Sequence, residues 1–335
     1  MTKVGVLGAG TWGMALARML SNNGHDVQVW SALESEIDEF STTRVHPNLP
    51  GMVIPEAITF TKSLSEICDS KDILLFAVPS VFVRSTARQA APFIKDNQVI
   101  VDVAKGMEPE TLFTMTEIIA QEIDKKVNLV ALSGPTHAEE VALDLPTTIV
   151  SACTNIEAAK FVQDVFSNKN MRVFINPDVK GVELCGALKN IIALSVGISN
   201  GLGYGNNAKA ALITRGLHEI SRLGVAMGCN EMTFSGLAGI GDLIVTSTSI
   251  HSRNFKCGKL IGEGVNPKEA IKKVGMVVEG VNAIPAAIEL ARRYEVNIPI
   301  ISAVNAIINE GANAANTGLG IMNQNINSDV IDTEF

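Results

Sequence analysis

The sequence predicts an α/β protein in two parts, with alternating strands and helices to about residue 178 and helices alone from 179 onward. Three observations carry this. Short runs rich in Val, Ile and Leu recur through the first half, each closed by a Gly, Pro or polar cluster and separated by helix-length segments. Strand patterns largely cease after Asn176-Pro177. The stretch that follows, 176–207, is nearly apolar and long enough for one central helix, and in it Lys189 is the only charge between Glu183 and Lys209.

Composition bounds the function. The chain has 335 residues, 47% hydrophobic and 19% charged, which suits about two domains with sizeable cores. A net charge of −8 argues against a broad nucleic-acid or anionic-membrane surface, so an anionic ligand needs a local cluster of cations. No uncharged apolar run is long enough to span a membrane. Cys68, Cys153, Cys185, Cys229 and Cys257 are odd in number and scattered, without CxxC or Cys/His metal spacing. Reduced thiols in a cytoplasmic protein without a metal are the expectation. Ala15-Leu16-Ala17 imitates a signal-peptidase site, but the glycines before it and a lone Lys3 fit strand, turn and helix better.

Lys3–Leu7 (KVGVL) reads as a buried strand, and Gly8-Ala9-Gly10-Thr11-Trp12-Gly13 follows, then the helix-compatible MALARMLSNN and a second strand, Asp26–Trp30. Strand, GxGxxG, helix and strand within about thirty residues is the context a dinucleotide fingerprint requires. Gly8 permits the tight turn, Gly10 lets a pyrophosphate approach the backbone, and Gly13 lets helix and strand pack closely. The helix N-terminus offers free N–H groups to the phosphates. The first half is therefore a Rossmann-type dinucleotide-binding domain, 1–178, and the second a helical substrate and catalytic domain, 179–335.

The cofactor subtype is less legible. An acid that binds the ribose belongs near the end of the second strand. Here the chain reads Trp30-Ser31-Ala32-Leu33-Glu34, with no acid at the strand tip and no Arg or Lys for a 2′-phosphate. Glu34 reads as a solvated acid at a helix start. The absence of a cation leans toward NAD(H), with NADP(H) open.

Strands follow at Asp72–Val78, Gln98–Val103, Asn128–Leu132, Thr147–Ala152 and Arg172–Ile175, with helices at Val81–Ala91, Leu112–Ile123 and Ile156–Phe166. Repeated βα units imply a mostly parallel sheet that binds ligands at the carboxyl ends of its strands. Lys105, Gly134 and Thr136 fall on loops at such ends. Arg44–Pro55, with three prolines and a glycine, reads as a loop, a lid being one use for it.

In the second half, helical patterns lie at 179–200, 208–228, 254–262, 267–274, 282–294 and 300–310. Ser235–Ser249 holds three glycines and a single charge, Asp242. His251-Ser252-Arg253-Asn254 places an N-cap serine before a helix with an arginine beside it, a cradle suited to phosphate. The five histidines show no metal pairing, and His137 beside Thr136 reads as structural. The tail 312–335, with no Lys or Arg, reads as weakly ordered.

GAGTWGMALA, VPS at 78–80, AKGME at 104–108, LSGPTHAEEVA at 132–142, NPDVKGVELCGALKNIIA at 176–193, GLAGIGDLIVTSTS at 236–249 and HSRN at 251–254 together resemble bacterial NAD(P)-dependent glycerol-3-phosphate dehydrogenase. The resemblance covers about residues 3–310, and GALKN with GDL…SRN is far more specific than GxGxxG. It implies reversible hydride transfer between sn-glycerol 3-phosphate and dihydroxyacetone phosphate, with glycerol 3-phosphate going to phospholipid synthesis. It places the general base on Lys189, with Lys105 polarising the C2 oxygen. It assigns substrate contacts to Lys105, Gly134, Thr136, Lys189, Asp242, Ser252, Arg253 and Asn254. To the fingerprint glycines Gly8, Gly10 and Gly13 it adds cofactor contacts at Thr11, Trp12, Lys105, Ala138, Arg253, Val277 and Glu279. A homodimer joined through the helical half is also implied. Where many members carry His or Arg, this chain has Ser31-Ala32-Leu33, which departs from the common NADPH pattern. The alternatives are a related two-domain hydroxyacid dehydrogenase and a non-catalytic nucleotide-binding regulator.

Overall fold

The structure, a computed structural model, describes residues 1–322. The first half runs β1 (Lys3–Leu7), α1 (Thr11–Asn22), β2 (Asp26–Trp30), α2 (Glu34–Thr43), β3 (Thr59–Thr61), α3 (Leu64–Cys68), β4 (Ile73–Phe76), α4 (Ser80–Ala90), β5 (Val99–Asp102), α5 (Met115–Glu122), β6 (Asn128–Ser133), α6 (Ala138–Ala142), β7 (Thr147–Ala152), α7 (Ile156–Phe166) and β8 (Met171–Asn176). The strands form one sheet in the order β3-β2-β1-β4-β5-β6-β7-β8. The order reverses between β1 and β4, which makes the crevice above them the topological switch point.

All neighbours are parallel except β6 and β7, where Ala131 faces Ala152 and Ser133 faces Val150. The cause is the connection. A parallel return needs a crossover that spans the sheet, and α6 has five residues. β3 and α3 were not expected, because three and five residues are too short to show a period. Strands β1, β4 and β5 are buried on both faces. Val4, Val6, Leu16, Leu20, Val29 and Val101 pack on one side, and Leu7, Phe76, Ile100, Ile118 and Ile119 on the other.

The second half is α8 (Val179–Gly201), α9 (Asn206–Ala226), α10 (Glu231–Phe234), a π-turn at Leu237–Gly241, α11 (Asp242–Thr248), α12 (Arg253–Gly262), α13 (Pro267–Val274), α14 (Glu279–Arg293), α15 (Pro299–Asn309) and α16 (Ala314–Met322). Helix α8 is buried from Gly181 to Ser199, so its sequence is apolar all round rather than on one stripe. It is long and apolar enough to cross a membrane by length and composition, but it lies wholly inside the fold.

Two glycine pairs lock α8 to α12. A Cβ on Gly197 or Gly201 would meet the carbonyl of Phe255 or Lys259 at 2.3 and 2.2 Å. One on Gly258 or Gly262 would meet the carbonyl of Leu194 or Ile198 at 2.1 and 2.2 Å. The two backbones touch, which fixes the start of α12 relative to α8.

The two halves are tied by buried polar bonds as well as apolar contact. Thr114 Oγ1, the Thr116 backbone N–H and Thr116 Oγ1 all donate to the Glu183 carboxylate of α8. Ser80, at the start of α4, donates to Glu279 of α14 through its N–H and its hydroxyl. The tail expected to be weakly ordered is helical over Ala314–Met322. Asn313 caps that helix, its Oδ1 accepting the Asn316 N–H and its carbonyl the Thr317 hydroxyl. The remainder of that tail, 323–335, lies outside the described residues.

Candidate active site

The glycine turn after β1 opens directly into α1. Gly8 has φ +122, and a Cβ there would meet the Ala77 carbonyl at 2.7 Å, so the turn tolerates only glycine. A Cβ on Gly13 would meet the Gly8 carbonyl at 2.1 Å, the close helix–strand approach expected of that position. Gly10 differs from both, since nothing lies within 4 Å of its Cβ direction. It is the N-cap of α1 and contributes no side-chain cap. The result is an open backbone surface at a helix N-terminus, with Thr11 and Trp12 on its first turn, which fits a pyrophosphate. This part of the chain suits a dinucleotide.

From that turn the cleft continues along the carboxyl ends of the strands. Gly8 abuts Ala77 after β4. Ser80, three residues on, is clasped by Glu279, and a Cβ on Gly106 would come within 2.4 Å of the Ser80 side chain. Glu279, expected at the cofactor, thus caps α4 at the crevice edge, with Val277 two residues before it. Ala138 opens α6 after β6.

At the far end three ionisable groups converge. Asp242, the first residue of α11, is 1% exposed, and each of its carboxylate oxygens accepts from a lysine. Lys189 Nζ donates to Oδ1 at 2.7 Å and Lys105 Nζ to Oδ2 at 2.7 Å. Lys189, 4% exposed on α8, also donates to Thr246 Oγ1 at 2.5 Å. Thr246 stands one helical turn after Asp242 on the same face of α11, and its hydroxyl donates to Oδ1 at 3.2 Å. Lys105 is further held by the Gly134 carbonyl at 3.0 Å and the Thr136 hydroxyl at 3.4 Å.

These contacts set the charges. Burial pushes the Lys189 amine down to about 8, reinforced by the Lys105 charge and opposed by Asp242. Burial pushes the Asp242 carboxyl up, but the Lys105 and Lys189 charges outweigh it and hold it below the usual carboxylate range. Asp242 therefore stays ionised while Lys189 titrates near neutrality. Both Asp242 oxygens are occupied by lysines, the geometry of a bridge that orients them.

Ser252 N-caps α12, its Oγ accepting the Phe255 N–H at 3.2 Å. Arg253 is exposed, makes no hydrogen bond or ion pair among the described residues, and its charge reaches Lys189. Asn254 is buried and committed: its Oδ1 accepts the Gly280 N–H at 2.9 Å, and its Nδ2 donates to Asn190 Oδ1 at 2.9 Å. Asn190 in turn donates to the Gly186 carbonyl. His137 lies 3.4 Å from the Val245 carbonyl, and burial holds its imidazole below the usual range.

Sequence reasoning missed Thr246, Asn190 and Ser80. Thr246 had a signal, the Asp242 and Thr246 spacing of four, which becomes visible once Ser235–Ser249 is recognised as partly helical. Asn190 adjoins Lys189 but faces Asn254, a contact that only the α8–α12 packing reveals.

Both halves of the chain are similar to known proteins. Residues 3–159 match the family description "NAD-dependent glycerol-3-phosphate dehydrogenase N-terminus" and residues 178–317 match its C-terminus. A Lactobacillus delbrueckii subsp. bulgaricus protein named glycerol-3-phosphate dehydrogenase (NAD(P)+) 2 is 66% identical over 95% of this chain and 96% of its own. One from Fusobacterium nucleatum, named glycerol-3-phosphate dehydrogenase (NAD(P)+), is 51% identical over 94% and 95%. The crystal structure of a Coxiella burnetii glycerol-3-phosphate dehydrogenase superimposes with a TM-score of 0.92 at 34% identity, covering 96% of this chain and 99% of that one.

Proposed function

Because this chain belongs to the NAD-dependent glycerol-3-phosphate dehydrogenase family, we propose that Lys189 takes and returns the C2 hydroxyl proton of sn-glycerol 3-phosphate. The enzyme is an NAD(P)-dependent oxidoreductase that interconverts that substrate and dihydroxyacetone phosphate. When bound, the nicotinamide supplies the two-electron chemistry at C2. Residues 1–178 cradle the dinucleotide, and the helical half from 179 presents the proton-transfer group and the phosphate site.

The observation that carries the reading is Lys189 buried against Asp242 and Thr246, with Lys105 on the other carboxylate oxygen. In the oxidative direction Lys189 enters as the free amine and accepts the hydroxyl proton. In the reductive direction it enters as ammonium and gives one back. A value near 8 serves both. Lys105 places a fixed positive charge where negative charge develops on the C2 oxygen. Gly134 and Thr136 position Lys105. Arg253, left open beside the N-terminus of α12 that Ser252 caps, holds the substrate phosphate, with Asn254 fixing that helix start.

Supply of glycerol 3-phosphate to phospholipid synthesis, a cytoplasmic location and a homodimer through the helical half belong to the same reading. The five free, buried cysteines support a reducing compartment. The test is oxidation of NADH or NADPH by purified protein on addition of dihydroxyacetone phosphate. Turnover with it, and none with phosphate-free hydroxy acids, is the expected result. The reverse pattern would make the protein a hydroxyacid dehydrogenase.

A further inference from the structure

The sequence has no acid at the end of β2, but the structure brings one back to that strand tip from six positions beyond it. Ser31, the first residue after β2, is buried. Its hydroxyl donates to Glu36 Oε2 at 2.6 Å, while the same oxygen accepts the Leu33 N–H at 3.1 Å. The first turn of α2 thereby folds Glu36 back onto the strand tip. That tip is beside the glycine turn, because the Trp30 carbonyl accepts the Gly8 N–H at 2.8 Å. His46 is also near this tip. It lies against the Ala9 backbone of the turn and within the field of Glu36 and Glu39. Glu36 Oε1 has no hydrogen bond among the described residues. Glu34, the acid nearer in sequence, is exposed and faces Lys62 at 3.5 Å instead.

The charge around this tip is acidic. Glu34, Glu36, Asp38 and Glu39 all stand on α2. Two cations stand nearby and both are engaged: Lys62, just past β3, is held by Asp38 at 2.8 Å and by Glu34, and Arg44, at the end of α2, donates to the Ile58 carbonyl and lies over Phe60. A 2′-phosphate would bring two further negative charges against these acids with Lys62 already engaged. A ribose 2′-hydroxyl would instead find a carboxylate oxygen to donate to.

We propose that Glu36, fixed at the tip of β2 by Ser31, selects NAD(H) over NADP(H) in this chain. This rests on the dehydrogenase reading for the presence of the cofactor, and it commits to one cofactor where that reading leaves two. The competing account is that Glu36 only stabilises the first turn of α2, as an acid in that turn does in many helices.

The test is binding of NADH and of NADPH to the full chain, read by nicotinamide fluorescence without substrate. The native chain is expected to bind NADH at least about tenfold more tightly, the value of one charge-assisted hydrogen bond. Glu36→Gln should lower that ratio several-fold, chiefly by improving NADPH. Glu36→Arg should invert it. Ser31→Ala keeps the charge and should keep the direction of the preference while reducing its size. Equal binding or an NADPH preference in the native chain would overturn the proposal. So would a Glu36→Gln variant that weakens both cofactors by the same factor, which is the result of a helix-start role alone. Turnover with dihydroxyacetone phosphate is measured separately. NADH-selective binding without turnover refutes the substrate reading and leaves this inference standing, whereas turnover with NADPH preferred does the opposite.

Discussion

The glycine turn after β1 and the charge cluster between β5, α8 and α11, the two parts of the proposed site, are built by opposite means. The turn is backbone. Gly8 and Gly13 are fixed by steric contact with Ala77 and with each other, and Gly10 is empty space beside a helix N-terminus. The cluster is side chains. Lys189, Asp242 and Lys105 carry a net positive charge, and two of the three are all but fully buried. Desolvating such ions costs several kcal/mol, and an apolar packing of the same volume is often as stable. The turn is thus what packing alone would favour, while the cluster is kept against a stability cost and is explained by its chemistry. The two regions should respond differently to substitution.

The largest expected effect is at Lys189. Lys189→Ala should lower kcat by about a thousandfold or more, as removal of a positioned acid–base group does. NADH binding should stay within about twofold, because the turn is built elsewhere. Steady-state kinetics with fluorescence titration on one preparation checks both, and near-normal turnover would break the contrast. Next is Arg253→Ala, expected to raise KM for dihydroxyacetone phosphate by about thirtyfold to a hundredfold with kcat less affected. An unchanged KM would put the phosphate elsewhere. Smallest is Gly10→Ala. With open space around it, the variant should unfold within about 1 kcal/mol of the native chain yet bind either cofactor about tenfold more weakly. Thermal melting and titration separate the two effects, and unaltered binding would show that Gly10 does not face the pyrophosphate.

The contrast also explains what the sequence could tell. The turn is legible because its constraint is local: three glycines at fixed offsets between a strand and a helix declare the geometry. Lys189 is legible for a different reason, since one charge in a long apolar run must either reach water or have a task. The partners of Lys189 are not local. Thr246 reaches it only after a π-turn at Leu237–Gly241 starts a helix that the glycines in Ser235–Ser249 disguise. The side-chain bonds of Asn254 to Asn190 and Gly280 become visible only once α8 and α12 are brought together by Gly197, Gly201, Gly258 and Gly262. Glu36 is not legible as a strand-tip residue because it lies six positions past β2 and reaches back only through the Ser31 hydroxyl. The antiparallel β6–β7 pair was hidden in the same way, since the shortness of α6 is a property of the loop rather than of either strand.

Lys189 is the group proposed to titrate. Its amine is lowered toward about 8 by burial and by Lys105. It is the working base when neutral and the working acid when charged, so the two directions must depend on pH as mirror images. The deciding measurement is kcat/KM against pH from 6 to 10 for both directions on the same enzyme. Oxidation of sn-glycerol 3-phosphate should rise through about pH 8 to a plateau, and reduction of dihydroxyacetone phosphate should be flat below about 8 and fall above it. Flat profiles, or the same inflection surviving in Lys189→Ala at its residual rate, would contradict the account.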